Sequence, residues 1–375
     1  MKTILYIVKK EFLQLKRDPK MFGMILIAPI LQLVVLGFAV TFDVNVVHTA
    51  VFDQDHSVES RKYVEDLESA GYFSIDYHVD SYDELVDLID KGNIILGIVI
   101  PTDFEKDVNR NITTSIQAIF DGSDGNSALI SAGYVGGVTS SFSHQVIVES
   151  AERSGHKFSI STISPETRIW YNPDAKTQVF MVPGIVGLLL MLITVILTSL
   201  AIVKEKEIGT LEQLIVTPIK PGQLILGKII PFAILGFVAE SIIILAMHVI
   251  FNISVRGNIF FLFFATFIYI LSTLGLGMFI STISKTQQQA FMLAAFVVML
   301  PMIYLSGFTF PIENMPAFIQ YITYLIPLRY FMVIIRGIIL KGVGFSELWM
   351  ELLAMFAIGV GILYLSSLRF KKRLS

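Results

Sequence analysis

Chemistry in this chain would have to come from a few polar residues set in apolar surroundings. Glu240 stands near the centre of the apolar run Leu224–Phe251. A carboxyl group at mid-bilayer costs a few kcal/mol unless it is neutral, paired or facing water. Glu240 is therefore expected to face the interior of a helix bundle or a subunit interface. Two roles stay open for it: contact with a transported substrate or proton, or a protonated acid hydrogen-bonded between helices. His248 lies near the end of the same run, only loosely on the same face.

Gly222–Lys228 reads GQLILGK, close to the spacing of a phosphate-binding loop. Ile229 stands where the magnesium-holding Ser or Thr belongs, and no strand precedes it. The stretch is expected to mark a helix entering the membrane, with Lys228 snorkelling toward the headgroups. No other nucleotide signature is present, so ATP hydrolysis is not expected here. The six histidines, His48, His56, His78, His144, His156 and His248, show no close metal-ligand spacing. No Ser/His/Asp arrangement is readable, and the chain has no cysteine. Disulfides, thiolate metal sites and cysteine nucleophiles are thereby excluded. No catalytic, cofactor-binding or metal residue is expected, and no nucleic-acid partner.

The third stretch is Lys204–Pro221, KEKEIGTLEQLIVTPIKP, a charged insertion between two apolar runs. Gly209 is expected to break the helix that leaves the membrane. Thr210 to Gln213 fits a capping box, in which hydroxyl and amide side chains satisfy orphan backbone amides. Ile208, Leu211, Leu214 and Ile215 form one apolar stripe, and Pro218 stops the turn. A short amphipathic helix at the membrane face follows. It is either an ordinary interfacial connector or a docking element. The cluster Glu205, Lys206, Glu207 and Glu212 holds more charge than a simple connector needs.

The elements that must position these residues follow from composition. Of 375 residues, 54% are hydrophobic and 16% charged, where a soluble domain sits nearer a quarter charged. The excess lies in runs of about 20 apolar residues, the signature of transmembrane helices. Residues 1–20 carry Lys2, Lys9, Lys10, Lys16, Arg17 and Lys20, with Ile4, Val8, Phe12 and Leu15 at helical spacing. This suits a helix lying in the headgroup plane. Residues 21–42 form the first run, too long for a cleaved signal peptide and read as an anchor. Further runs fall at 179–203, 224–251, 259–283, 290–310 and 348–368, making six spans.

The positive-inside rule supports that count. With the N-terminus in the cytosol, the inner segments hold the six basic residues just named and Lys204, Lys206, Lys220, Lys228, Lys285, Arg369, Lys371, Lys372 and Arg373. The short outer connections hold Arg256, Arg329, Arg336 and Lys341. Pro327–Leu340 is apolar but too short to span. Residues 311–342, punctuated by Pro311, Pro316 and Pro327, are expected as two short helices dipping into the outer leaflet and returning.

Residues 43–178 differ in kind, with 9 Lys/Arg against 22 Asp/Glu, while the remainder holds 19 against 9. Strands are expected at Val46–Phe52, Phe73–Val79, Ile94–Ile100, Ser115–Phe120 and Ser159–Trp170. Helices are expected at Val58–Ala70, Tyr82–Lys91, Thr102–Asn109 and Ser127–Arg153. Such alternation indicates a small α/β domain, entered by its last helix at the turn cluster Asp121–Asn126. The fold class is thus a polytopic α-helical membrane protein with six transmembrane helices and an inserted extracytoplasmic α/β domain.

Taken together, these motifs resemble the permease subunit of ABC-2 type exporters, in the subgroup with a large external domain between the first two spans. The resemblance runs through Lys10-Glu11-Phe12, Arg17-Asp18-Pro19, Asp53-Gln54-Asp55, Ser60-Arg61, Asp121–Asp124 with Asn126, Tyr171-Asn172-Pro173 and Val182-Pro183-Gly184. Its most specific part is Lys204–Leu214 with Thr217-Pro218. Ser306-Gly307-Phe308, Phe310-Pro311, Met315-Pro316, Pro327 and Arg336-Gly337 match an outer-leaflet hairpin. The subgroup often has proline where this chain has Gly125, a mild change.

The resemblance implies half of a transporter. Two permeases, identical or paired with a sister chain, would join two cytosolic ABC ATPase subunits, which would carry the ATP and magnesium. It casts Glu205, Glu207, Gly209, Thr210 and Glu212 as ATPase-coupling residues. Similar proteins export drugs, lipids or other amphipathic compounds, and some relatives are linked to sodium efflux. A periplasmic membrane-fusion adaptor is a possible further partner, with membrane lipids around the bundle. The location implied is a bacterial inner membrane with both termini cytoplasmic. Two other classes remain: an ion-coupled carrier using Glu240, and a membrane-anchored ligand sensor. The latter would call for one or two spans and a cytosolic signalling domain.

Overall fold

The computed structural model describes residues 2–17, 19–39, 46–110, 112–153, 170–173, 176–210 and 221–372. They fall into two compact units, Phe42–Arg168 and the rest of the chain. Helices α1 (Lys2–Lys16) and α2 (Pro19–Ala39) come first.

The Phe42–Arg168 unit follows, in the order β1 (Val47–Asp53), α3 (Val58–Ser69), β2 (Phe73–His78), α4 (Tyr82–Asp90), β3 (Leu96–Ile100), α5 (Phe104–Asn109), β4 (Gln117–Phe120) and α6 (Gly125–Arg153). The sheet order is β2-β1-β3-β4, with β2, β1 and β3 parallel and β4 antiparallel. Parallel neighbours need a helical crossover, which α3 and α4 supply. Ser57 and Ser60 cap α3 reciprocally, and Ser81 caps α4. Every residue of β3 is buried, as a central strand covered on both faces requires. Tyr63 and Leu67 of α3, Phe104 of α5 and Phe142 of α6 cover one face. Leu85 of α4 covers the other. Gly97 makes that possible, since a Cβ there would meet Leu85 Cδ2 at 2.4 Å. The fifth expected strand, Ser159–Trp170, lies almost wholly outside the described residues.

The remaining unit continues with α7 (Thr177–Ile208), α8 (Pro221–Phe251), α9 (Ile259–Ile283), α10 (Gln287–Leu305), α11 (Ala317–Thr323), α12 (Pro327–Lys341) and α13 (Phe345–Lys372). Among the described residues, five helices (α7, α8, α9, α10 and α13) are long and apolar enough to cross a membrane. The pair α11–α12, bent by 83°, would make a sixth if it counted as one span. The sequence places a first span at 21–42, and there α2 runs over Pro19–Ala39, 21 residues, with residues 40–42 outside the described ones. The result is a polytopic helical membrane protein.

Helix α7 is the central post, buried along most of its length. In lipid, helices gain little from hydrophobicity and associate through small residues and polar contacts. Gly277 of α9 fits that rule, since a Cβ there would lie 2.8 Å from the Val195 carbonyl of α7. Beside it Thr194 Oγ1 donates to Thr273 Oγ1 at 2.8 Å. Tyr269 of α9 donates to the Gly187 carbonyl at 3.1 Å and stacks on Phe331 of α12 at 4.0 Å. Ser366 of α13 donates to the Gly275 carbonyl at 3.1 Å. Residues 293–299 of α10 and 337–341 of α12 are π-helical. The second of these turns leaves carbonyls for the α8–α9 connection: Gly257 N donates to Ile338 and Arg256 N to Ile339.

Candidate functional site

The C-terminal end of α7 gathers four charges from three helices. Lys10 Nζ of α1 is paired with Glu205 Oε1 of α7. Lys228 Nζ of α8 lies 2.5 Å from Glu205 Oε2 and 3.2 Å from Glu11 Oε1 of α1. Lys10 also reaches Glu11 at 3.4 Å. Lys228 is 2% exposed, Glu11 4% and Glu205 6%. Two cations and two anions balance. Burying charge is tolerated where it is paired in this way, and breaking one pair leaves a partner uncompensated. Burial lowers the pKa of Lys10, but the hydrogen bond to Glu205 and the carboxylates of Glu205 and Glu11 outweigh it and hold the ammonium above its usual value.

Local sequence explains how the helices come so close. Gly227 sits where a Cβ would strike Ile7 Cγ2 at 2.7 Å, so α1 can lie directly on α8. Ile7 and Glu11, one turn apart, are the most buried positions of α1. Ile4, Val8 and Phe12 flank them, half-buried. The packed face of α1 is therefore centred on an acid rather than on the apolar stripe alone. Lys228 does not snorkel: its ammonium is sequestered because Glu11 and Glu205 wait for it inside. The phosphate-loop lookalike is the first turns of α8.

The next residues of α7 extend the junction. Lys206 Nζ donates to the Ser284 carbonyl at 2.5 Å, satisfying the C-terminal end of α9. Glu207 Oε2 accepts from Gln287 N at 3.2 Å and from its Nε2 at 3.0 Å, at the start of α10. A carboxylate is favoured at a helix N-terminus. Residues 205–207 thus bind α1, α8, α9 and α10 at one corner. Gly209 ends α7 with φ +83°, a left-handed conformation that suits glycine. Thr210 Oγ1 donates back to the Glu205 carbonyl at 3.2 Å; the expected capping partner Gln213 lies outside the described residues. The expected helix from Ile208 to Thr217 lies outside the described residues beyond Thr210, and so does Glu212. Glu205 is turned into the protein, with its side chain in the charge cluster. Glu207, though exposed, is already engaged by Gln287.

Glu240 of α8 is 1% exposed, and its Oε1 accepts the Thr266 hydroxyl of α9. No cation pairs with it among the described residues. His248 does not approach it; His248 Nδ1 meets Ser254 Oγ at 3.1 Å.

The opposite end of α7 meets the α11–α12 hairpin, and Arg336 organises that contact. Its Nε donates to the Phe180 carbonyl at 3.3 Å, Nη1 to Gly307 at 2.9 Å and Nη2 to Phe308 at 3.4 Å. The guanidinium also stacks over the Phe180 ring at 3.7 Å. Gly307 holds φ +78°, turning its carbonyl toward Arg336. Gly184 leaves room, because a Cβ there would press on Phe308 at 2.8 Å. Pro311 precedes a 3-10 turn at Ile312–Asn314, and Pro316 precedes α11. Ser306 is 1% exposed.

Of the residues singled out from sequence, the structure brings Glu205 and Glu207 into the α7 junction, and Ser306, Gly307 and Arg336 into the hairpin contact. Sequence reasoning missed that Lys10, Glu11 and Lys228 converge on Glu205. The available signal was a lysine inside an apolar helix and an acid one turn beyond Ile7 on a basic helix.

Residues 19–368 match the family described as "ABC-2 family transporter protein". The chain is 35% identical over 366 residues to "Probable multidrug ABC transporter permease YbhS" of Escherichia coli, covering 97% of this chain and 96% of that protein. It is 30% identical to "Probable multidrug ABC transporter permease YbhR" of the same organism, covering 94% of each. "Inner membrane transport permease YhhJ", also from Escherichia coli, is 25% identical, with 91% of this chain and 92% of that protein covered. With the family match spanning nearly all of a helical membrane bundle, the chain belongs to the ABC-2 family of transporter proteins.

Proposed function

We propose that the chain is the membrane-spanning permease subunit of an ABC exporter, a transporter and not an enzyme. Two separate ATPase subunits, holding the ATP and magnesium, would drive it. It would work in a bacterial inner membrane with both termini in the cytoplasm and residues 43–178 outside. A second permease copy or sister chain would complete the pathway, and a membrane-fusion adaptor could meet the external domain. The cargo would be an amphipathic drug-like or lipid-like compound, moved by alternating access. The relatives named as multidrug permeases support that cargo class.

The observation that carries this reading is the charge cluster at the end of α7. Lys10, Glu11, Glu205 and Lys228 lock the N-terminal helix to two spans, and Lys206 and Glu207 fasten the same corner to α9 and α10. A push delivered at 204–221 would therefore move α1 and the inner ends of four helices as one body. Such a push works only if the bundle has two states whose balance the ATPases shift. Glu205 would transmit that force from inside the junction, while Glu207 and Glu212 would lie nearer the ATPase.

The test is ATPase stimulation in reconstituted complexes. Charge reversal at Glu207 and Glu212 together is expected to reduce stimulation several-fold while the permease stays folded. Unchanged stimulation would sink the coupling role. A second reading has one observation in its favour, the buried Glu240 carboxyl without a cationic partner among the described residues. An ion-coupled carrier would keep transporting without any ATPase and stop on Glu240→Gln.

A further inference from the structure

Beside Arg336 lies a cavity of about 590 Å³, well inside the range of about 300–1,000 Å³ typical of small-molecule sites. Phe308, Met332, Val333 and Leu340 make one side apolar. Three cations line the rest, Arg329, Arg336 and Lys341, against the acids Glu313 and Glu347. None of the three cations has a carboxylate within ion-pair distance among the described residues. Arg336 directs three of its five N–H groups at carbonyls, and Arg329 Nη1 donates to Gln320 and Thr323. These acceptors are neutral, so the charge of the two guanidinium groups is not neutralised. Lys341 is exposed and makes no contact of either kind among the described residues. Ser306 stands behind this lining, with its Oγ buried.

Position narrows the occupant. Phe180, at the cavity, and Glu205, in the charge cluster, are separated along α7 by about 38 Å at 1.5 Å per residue. The hydrocarbon layer is about 30 Å thick. The cavity therefore lies at a membrane boundary, where headgroups meet acyl chains. Uncompensated cations above an apolar wall complement an amphiphile with an anionic head.

We propose that this cavity holds a membrane lipid with an anionic phosphate headgroup, the phosphate meeting Lys341 and an acyl chain lying along Phe308, Met332, Val333 and Leu340. The site lies at the other end of α7 from the charge cluster and does not depend on what the protein exports. A lipid seated there would brace the hairpin against α7 by filling the space that Arg336 spans.

The test uses the purified full chain in detergent with dioleoylphosphatidylglycerol or dioleoylphosphatidylcholine, and counts retained lipid by native mass spectrometry. The anionic lipid is expected to be retained about fivefold better, the value of one cation near a headgroup. Lys341→Gln should bring the two lipids level. Val333→Trp, which narrows the cavity, should reduce retention of both. Both positions are exposed, and thermal unfolding checks that the variants fold; if Val333→Trp does not, Lys341→Gln decides alone. Inorganic phosphate should displace neither lipid. The proposal is overturned by equal retention in the parent chain, by retention unchanged in the folded variants, or by displacement with inorganic phosphate, which would mark a small-anion site. It is equally overturned if no lipid is retained, which would leave a second copy of the chain as the cover.

Discussion

Lys228 Nζ of α8 and Glu205 Oε2 of α7 meet at 2.5 Å, both buried. The two residues flank the charged stretch 204–221, and their contact converts the bases of two spans into one piece. Glu11 and Lys10 bring the N-terminal helix into the same piece.

Lys228→Met should be among the most damaging single changes at this corner. It leaves two buried carboxylates with Lys10 alone, and breaking a buried pair costs about 3–5 kcal/mol. The thermal midpoint in detergent should fall accordingly. Lys228→Met with Glu11→Leu should fall less than the two single variants combined, because charge balance is restored. Strict additivity would mean that the contacts are not coupled.

At the end of α7 the conformation of Gly209 sets the exit of the chain. Its φ of +83° penalises a β-branched side chain, so Gly209→Val should cost about 1–2 kcal/mol. Asparagine tolerates the left-handed region better, and Gly209→Asn should stay near the parent in thermal midpoint. ATPase stimulation should follow the same order. Equal behaviour of the two variants would refute the argument from backbone geometry.

Arg336→Lys keeps the charge but loses the planar fork that reaches three carbonyls. Leaving one or two of them unpaired should cost about 1–3 kcal/mol. Limited proteolysis between Ser306 and Pro316 should accelerate, with Arg336→Met faster still. A cleavage rate matching the parent would show that the hairpin is held by other contacts.

In the Phe42–Arg168 unit, Asp76 provides a pH dependence. The Ser74 hydroxyl holds its carboxyl below the ordinary 3.8 against the opposing effect of burial, with His48 adding a smaller pull in the same direction as Ser74. His48 Nδ1 lies 2.6 Å from Asp76 Oδ2, joining β1 to β2. Because the folded state depresses this pKa, the stabilisation is present above the unfolded value and lost as pH falls through the folded one. Hydrogen exchange of β2 should be faster in Asp76→Asn than in the parent at pH 6. Well below 3.8 the difference should vanish. A difference that grows toward acid would contradict the sign.

Much of the architecture was readable in advance because it rests on local periodicity. Alternation and turn residues located β1 within Val46–Phe52 to one residue and β2 at Phe73, since side-chain period and capping serines act over a few positions. The runs at 179–203 and 259–283 correspond to α7 and α9 for the same reason: backbone in lipid must close its own hydrogen bonds. Gly209 announced the end of α7 by its type alone.

The pairing of charges was not readable in this way. Lys228 by itself reads as a snorkelling residue, because its sequence neighbours are apolar and nothing nearby in the chain is acidic. Its fate depends on Glu11 and Glu205, which reach it only when α1 settles against Gly227 and α7 turns its last helical turn inward. The same holds for Arg336, whose acceptors are carbonyls of Phe180, Gly307 and Phe308 and carry no side-chain signal at all. The chain's own sequence determined the class of molecule, its apolar runs and the turn at Gly209, all products of short-range periodicity. Tertiary structure alone decided which buried charges meet, because the energy of an ion in a low-dielectric interior depends on partners that folding brings within a few ångströms.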